Sequence, residues 1–364
     1  MPVIDPLSLD PDGPHDIMLS YWFATMNRLI YWDVPALDEK AMNAVGATLD
    51  DRERFEEIPL PGGDNISRVD IYHLDSGDVV LFRGTTPPNQ IYSEILESTP
   101  VKLQPWTGEV VHYFGRLANL EWGRISGSIG NNWMTTGHSL GGSVAGLVAF
   151  RGAVSTWTIG QPREGDQAYI DSRDRTKKLR IYNVEDLVAR VPFSVGRPRL
   201  PVTPPQSPFL QPSASEPKPP VYHWGVPARL SATGLNFDVA DDDGFLNDVS
   251  NEIAQALTSG RIGISEHAQE VYAFRIRRLL PYEFPAKTSA NTLANLPLLD
   301  EINEGINLGP LAADRGAPVI WNITRTASNR DAGPFDPVDA VGDWVEIGDV
   351  EESQVFPFSC EGGQ

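Results

Sequence analysis

Apolar and polar positions along this 364-residue chain follow two periods, one helical and one of two residues, and these predict its elements. Residues 17 to 32, IMLSYWFATMNRLIYW, form the longest apolar stretch. Ser20, Asn27 and Arg28 interrupt it, so it reads as a buried or partly buried helix. A membrane span needs roughly 18 uninterrupted apolar residues, and no run reaches that. Two strands are expected next, Ile66 to His73 and Asp78 to Phe82, joined as a hairpin by the turn-like LDSGD. Residues 110 to 126, VVHYFGRLANLEWGRIS, return to helical spacing. Trp133 to Thr136 reads as a strand, Leu140 to Phe150 as a helix, and STWTI as another strand. In KLRIYN, Leu179, Ile181 and Asn183 alternate with Arg180 and Tyr182, giving a further strand. Helices are expected at 245 to 260 and 265 to 280. Repeated strand and helix alternation implies an α/β fold with a mostly parallel central sheet flanked by helices.

Proline then divides the chain. Residues 192 to 220, PFSVGRPRLPVTPPQSPFLQPSASEPKPP, exclude helix and central strand and form a long extended loop. Beyond residue 280 only short strand candidates stand out, APVIWNITRT and GDWVEIGDV, amid Gly, Pro and Asp. Residues 281–364 are therefore expected as a C-terminal extension packed on a main domain of residues 1–280. The chain has no internal repeat.

Charge narrows the partners. With 49 acidic against 29 basic residues and a net charge of -20, binding to nucleic acid or to an anionic membrane by electrostatics is disfavoured. Cys360 is the only cysteine, so no internal disulfide forms and no thiolate cluster is available for a metal. The acidic loop DVADDDGFLND fails the calcium-loop pattern, because Val239 stands at the first ligand position and Ser250 at the closing glutamate. No metal or other cofactor is expected. The acidic, Pro-rich N-terminus lacks the basic start and apolar run of a secretory signal, so a cytoplasmic address is the default expectation. A mature exported form would read the same.

The chemistry centres on TTGHSLGGSVAG, residues 135 to 146. A G-x-S-x-G match arises by chance about 0.1 times in a chain of this length, so context matters. Here the serine falls between a strand and a helix rich in small residues, the setting of a nucleophile elbow. Gly137 and Gly141 remove the side chains that would collide across so sharp a turn. The elbow exposes the Ser139 hydroxyl and places the Leu140 N–H at a helix start, where it can bind an oxyanion.

A serine needs a base, and the base an orienting acid. Of six histidines, only His223 and His267 follow the serine in the order Ser, Asp, His usual for this elbow. Residue types and spacing do not separate these two. Asp186, just past a strand end at the same sheet edge, is the candidate acid. In VVLFRGTT, Gly84 permits a sharp backbone path and Thr85 can offer its N–H and hydroxyl to an oxyanion.

Taken together, VVLFRGT, VVHYFG, TTGHSLGG, TIGQPREGD, NVEDLVARVP, YHWG and SEHAQEVY follow the order seen in the class 3 lipases. The chain resembles this fungal-type triacylglycerol lipase family over roughly residues 70 to 275. The resemblance implies an α/β-hydrolase fold, with Ser139 as nucleophile, Asp186 as acid, His267 as base, and Thr85 with Leu140 as the oxyanion hole. It places His223 on a structural segment. Two departures stand out: Ala189 where the family has proline, and Tyr272 farther from the histidine than the family's tyrosine. The family's lid corresponds to TPPNQIYSEILESTP, residues 86 to 100, where Ile91, Tyr92, Ile95 and Leu96 fall on one side of a short helix.

The expected function is a serine carboxylic-ester hydrolase, a lipase acting on acylglycerols at a lipid–water interface. The alternatives are a short-chain or aromatic-acid esterase, a phospholipase A1, and a non-catalytic binding module that recruits partners through its Pro-rich loop.

Overall fold

The computed structural model describes residues 6–7, 17–31, 35–59, 65–84, 100–174, 178–183, 186, 188–190, 221–231, 234–237, 267, 269–279 and 296–308. Its strands are β1 (Arg52–Pro59), β2 (Asn65–Leu74), β3 (Gly77–Phe82), β4 (Pro100–Val101), β5 (Val110–Val111), β6 (Trp133–His138), β7 (Ser155–Ile159), β8 (Lys178–Asn183), β9 (Val226–Ser231) and β10 (Gly234–Phe237). The described sheet has eight strands in the order β1-β2-β3-β6-β7-β8-β9-β10. From β3 to β9 neighbours run parallel, and the pairs β1/β2, β2/β3 and β9/β10 are antiparallel. This is a mostly parallel sheet, and the helices cover both its faces.

Strand alternation sorts the core. In β3, Val79 and Leu81 face one apolar layer while Val80 and Phe82 face the other. The first layer is capped by α1 (Ile17–Leu29), α2 (Pro35–Ala44), α6 (Gln269–Leu279) and α7 (Leu296–Leu308). The second is capped by α3 (His112–Ile125) and α4 (Leu140–Val148), with Tyr169 of the short α5 (Gln167–Asp171) buried beside them. A sheet covered on both faces explains why all six residues of β8 are buried although the sequence alternates. It also explains why every residue of α4 is buried: its small side chains let the helix lie flat on the strands.

Helix α7 corrects the expectation that only short strands follow residue 280. Leu299, Ile302 and Ile306, spaced as one helical face, enter the core against α1 and α2. Its polar residues join in: Asn303 Nδ2 donates to Thr25 Oγ1 at 2.8 Å and Asp300 accepts from Tyr21 at 2.9 Å. Asp300 also takes a two-pronged bond from Arg277 of α6 at 2.7 and 2.8 Å. Strand β1 and the β9–β10 hairpin also go beyond the elements expected from the pattern. The Pro-rich loop, the helix expected at 245–260 and the C-terminal strand candidates lie outside the described residues.

Candidate active site

Strand β6 ends at His138 and α4 begins at Leu140, leaving Ser139 alone between them at φ 58°, ψ -132°. Among the described residues it is the one non-glycine with positive φ. Such a conformation costs about 1–3 kcal/mol and persists only when its surroundings enforce it. Here the Ser139 N–H donates to the Ile159 carbonyl at 3.0 Å, while the Ser139 carbonyl accepts from Gly142 and Ser143 at 2.9 and 3.3 Å. Close backbone approach does the rest. A Cβ on Gly137 would stand 2.2 Å from the Gly141 oxygen, and one on Gly141 would stand 2.2 Å from the Phe82 oxygen.

Two strands along the sheet, β8 delivers Asp186, which is fully buried. Its Oδ1 accepts from the Val188 N–H at 2.8 Å and, more weakly, from the Ala189 N–H at 3.4 Å. Proline at 189, the family's usual residue, could not make the second bond. Oδ2 faces His267 Nδ1 at 2.8 Å and accepts from the Tyr272 hydroxyl at 2.6 Å. Tyr272 in turn accepts from the Asn183 N–H at 3.0 Å. Burial pushes the Tyr272 pKa well up, and the Asp186 charge adds to this, so the phenol stays a neutral donor.

A carboxylate accepts only, so the proton on His267 sits at Nδ1 and the lone pair at Nε2. Nε2 and Ser139 Oγ are both buried, and among the described residues neither has a hydrogen-bond partner. Gly160, at φ 58°, brings the end of β7 against the pair: a Cβ there would stand 3.1 Å from Asp186 Oδ2 and 3.2 Å from His267 Nδ1. The structure thus joins Asp186 to His267 and sends His223 elsewhere. His223 Nε2 donates to the Ala189 carbonyl at 2.6 Å, bracing the turn that follows Asp186. Burial first, then the nearby Arg180 and Arg163, hold its pKa well below the ordinary histidine range, so the ring is neutral.

Leu140 opens α4, and the N–H groups of a first helical turn have no acceptor within the helix. The end of β3 passes beside the elbow, since a Cβ on Gly84 would stand 3.1 Å from Ser139 Cβ and 2.7 Å from the His138 oxygen. Thr85 and the lid candidates Ile91, Tyr92, Ile95 and Leu96 lie outside the described residues.

Several contributors carry no motif of their own. His138 stacks on His267 with ring centroids 4.6 Å apart, and Tyr31 reaches His138 from the end of α1. Behind α4, Lys178 donates to Glu164 at 2.8 Å with both side chains wholly buried. Burial pushes the Lys178 pKa down to about 8 against the pull of Glu164, whose own pKa burial raises. Gln161 bonds the other Glu164 oxygen. The segment GQPREGD, legible only as part of a resemblance, therefore supports the elbow helix from below.

Residues 79–196, about a third of the chain, match the family model for lipase (class 3). This segment is similar to the class 3 lipases. The match assigns it to the lipase-type enzymes, which hydrolyse carboxylic esters, and its span runs from β3 through the elbow to the turn after Asp186. No curated protein sequence matches the chain. Among solved structures, lipase II from Rhizopus niveus is similar at 19% identity, covering 59% of this chain and 80% of that one, with a TM-score of 0.39. A lipase from Rhizopus microsporus var. chinensis is similar at 17% identity, covering 73% and 94%, with a TM-score of 0.42. Lip2 lipase from Yarrowia lipolytica is similar at 18% identity, covering 47% and 72%, with a TM-score of 0.36. No described helix is long and apolar enough to cross a membrane.

Proposed function

We propose that this lipase-type ester hydrolase works through Ser139, Asp186 and His267 by way of an acyl-enzyme, with acylglycerols as its substrates. The observation that carries the reading is the pairing of a strained serine with a buried His267–Asp186 couple, in which Oγ and Nε2 have no hydrogen-bond partner among the described residues. As Ser139 Oγ attacks the ester carbonyl, His267 Nε2 takes its proton and Asp186 stabilises the resulting imidazolium. The carbonyl oxygen gains the negative charge and is held by the Leu140 N–H and by Thr85. Collapse of this intermediate breaks the bond to the alcohol oxygen, which leaves with the proton from His267. Water then repeats the sequence on the acyl-enzyme, releasing the acid and restoring Ser139.

By its sequence, segment 86–100 suits a cover that turns Ile91, Tyr92, Ile95 and Leu96 toward lipid. Acylglycerols are neutral, which agrees with a chain carrying a net charge of -20.

The test is hydrolysis of p-nitrophenyl esters of two to sixteen carbons by the wild type and by Ser139→Ala. A loss of several orders of magnitude in the variant, with an optimum at long acyl chains, is the expected result. A wild type inert toward every ester would overturn the reading, and an optimum at two to four carbons would replace lipase with esterase. A rate that rises smoothly through the substrate's solubility limit would remove the interfacial cover.

A further inference from the structure

His138 precedes Ser139 at the end of β6, and its ring lies 4.6 Å from that of His267 at an interplanar angle of 30°. Its Nε2 is 2.9 Å from the His267 carbonyl oxygen. A carbonyl only accepts, so Nε2 carries the proton, and a neutral imidazole then presents a lone pair at Nδ1. The Tyr31 hydroxyl, 3.3 Å away, donates to it. Burial, reinforced by His267, holds the His138 pKa well below the ordinary range, which keeps the ring in this neutral form. Tyr31 is itself held in place: its N–H donates to the Arg28 carbonyl at 3.2 Å, and the Arg83 guanidinium lies 6.0 Å from its ring centre.

His267 is thus gripped at two points. Asp186 holds its ring, at Nδ1, while His138 holds its backbone, at the carbonyl. The first bond alone fixes a ring nitrogen but leaves the main chain of residue 267 free to shift about it. The second closes that freedom, and it does so from the residue covalently joined to Ser139. A short path, from Ser139 through His138 and its hydrogen bond to the His267 carbonyl, then links the two reacting residues in addition to the route through Asp186.

Resting on the reading of Ser139 and His267 given above, we propose that His138 is a positioning residue that ties the backbone of His267 to the strand end bearing Ser139. Tyr31 is the second member of the device, selecting the ring tautomer that makes the bond. Neither side chain touches the reacting atoms. Both act through His267, so their loss slows the proton transfer without weakening substrate binding.

The experiment measures kcat and KM on p-nitrophenyl butyrate, together with the rate at which a small alkyl fluorophosphonate inactivates the full chain. In that inactivation Ser139 Oγ bonds to phosphorus, the P–F bond breaks, and the proton passes to His267, so the probe reads activation with little contribution from substrate binding. His138→Phe keeps a ring but removes the donor, and kcat and the inactivation rate are expected to fall together by about 10- to 100-fold at unchanged KM. His138→Gln, which restores an N–H near the Nε2 position, recovers most of the loss. Tyr31→Phe removes a single oxygen and lowers both rates by roughly fivefold, the equivalent of one hydrogen bond. Should His138→Phe fail to fold, Tyr31→Phe decides the matter. Wild-type inactivation rates in these variants, or a loss confined to melting temperature, would overturn the proposal while leaving Ser139 as nucleophile. A wild-type chain that does not react with the probe would overturn the reading of Ser139 as well.

Discussion

Tyr272 donates its hydroxyl hydrogen to Asp186 Oδ2 at 2.6 Å, onto the same oxygen that His267 Nδ1 approaches at 2.8 Å. The tyrosine lies five residues beyond the histidine, farther than the family spacing. His267 stands two residues ahead of α6 and Tyr272 lies in the first turns of that helix, from which its hydroxyl reaches the carboxylate. Removing that oxygen has two effects. Asp186 loses a donor that steadies its orientation toward His267, and the buried Asn183 N–H loses its acceptor. Tyr272→Phe is therefore expected to lower kcat/KM several-fold and to destabilise the fold by about 1–3 kcal/mol. Ester hydrolysis and urea unfolding measure the two, and a variant with wild-type values in both would show the hydroxyl to be idle.

The elbow makes a stability prediction with an internal control. A methyl on Gly137 meets backbone at 2.2 Å, which no side-chain rotation relieves. Gly137→Ala should cost 3 kcal/mol or more, on the order of the upper range for overpacking, and abolish activity with it. Gly123, exposed near the end of α3, has nothing within 4 Å of the added methyl. Gly123→Ala should stabilise by roughly 0.5–1 kcal/mol, since alanine has the higher helix propensity. Thermal unfolding of the two variants gives opposite signs if the backbone contact is what demands glycine at 137.

These two sites also mark what sequence made legible. The elbow was readable because its constraint is local: five consecutive residues, two of them glycine, carry the whole steric argument. The proposed base was not, since His223 and His267 both follow Asp186 and the choice between them depends on long-range packing. The resemblance favours His267, and the geometry gives His223 a backbone bond of its own. Strand β1 escaped because RERFEEIP alternates charges instead of apolar residues. Its arginines are satisfied by buried acids, Arg54 bonding both Asp70 oxygens at 2.9 Å and Arg52 bonding Asp38. Helix α7 escaped because Gly305 and five acidic or amide residues dilute a face of only three core residues. Tyr31 had no signal at all, and His138 none beyond its place in the elbow motif, because the contact between them forms only once the chain beyond α1 meets the end of β6.

Acid sensitivity follows from His223. The fold holds it neutral, with a pKa well below the ordinary value, whereas the unfolded chain protonates it near pH 6.5. Below that pH the unfolded state binds the extra proton, so the histidine's contribution is complete above about pH 6.5 and is lost as pH falls. His223→Gln retains a donor for Ala189 but cannot titrate. Between pH 7.5 and pH 5 the wild type should lose more stability than this variant, the difference growing as pH falls below about 6.5. Urea unfolding at the two pH values gives the comparison, and equal losses would mean that the ring is already charged in the folded protein.

The Glu164–Lys178 pair tests how the elbow helix is supported. Both side chains are wholly buried, and α4 presses on them closely enough that a Cβ on Gly146 would stand 2.5 Å from Glu164 Oε2 and 2.7 Å from Lys178 Nζ. A desolvated pair of this kind repays its burial only while both partners are present. Lys178→Met removes one partner and leaves the carboxylate bonded to Gln161 without its buried cation. A cost of about 3–5 kcal/mol is expected, along with lower activity as α4 shifts away from the uncompensated charge. Adding Glu164→Gln removes that charge, keeps an acceptor for Gln161, and should return the chain to within roughly 2 kcal/mol of the wild type with its activity restored. A double variant no more stable than Lys178→Met would show that the two groups act independently, and that packing rather than charge holds the helix beneath Ser139.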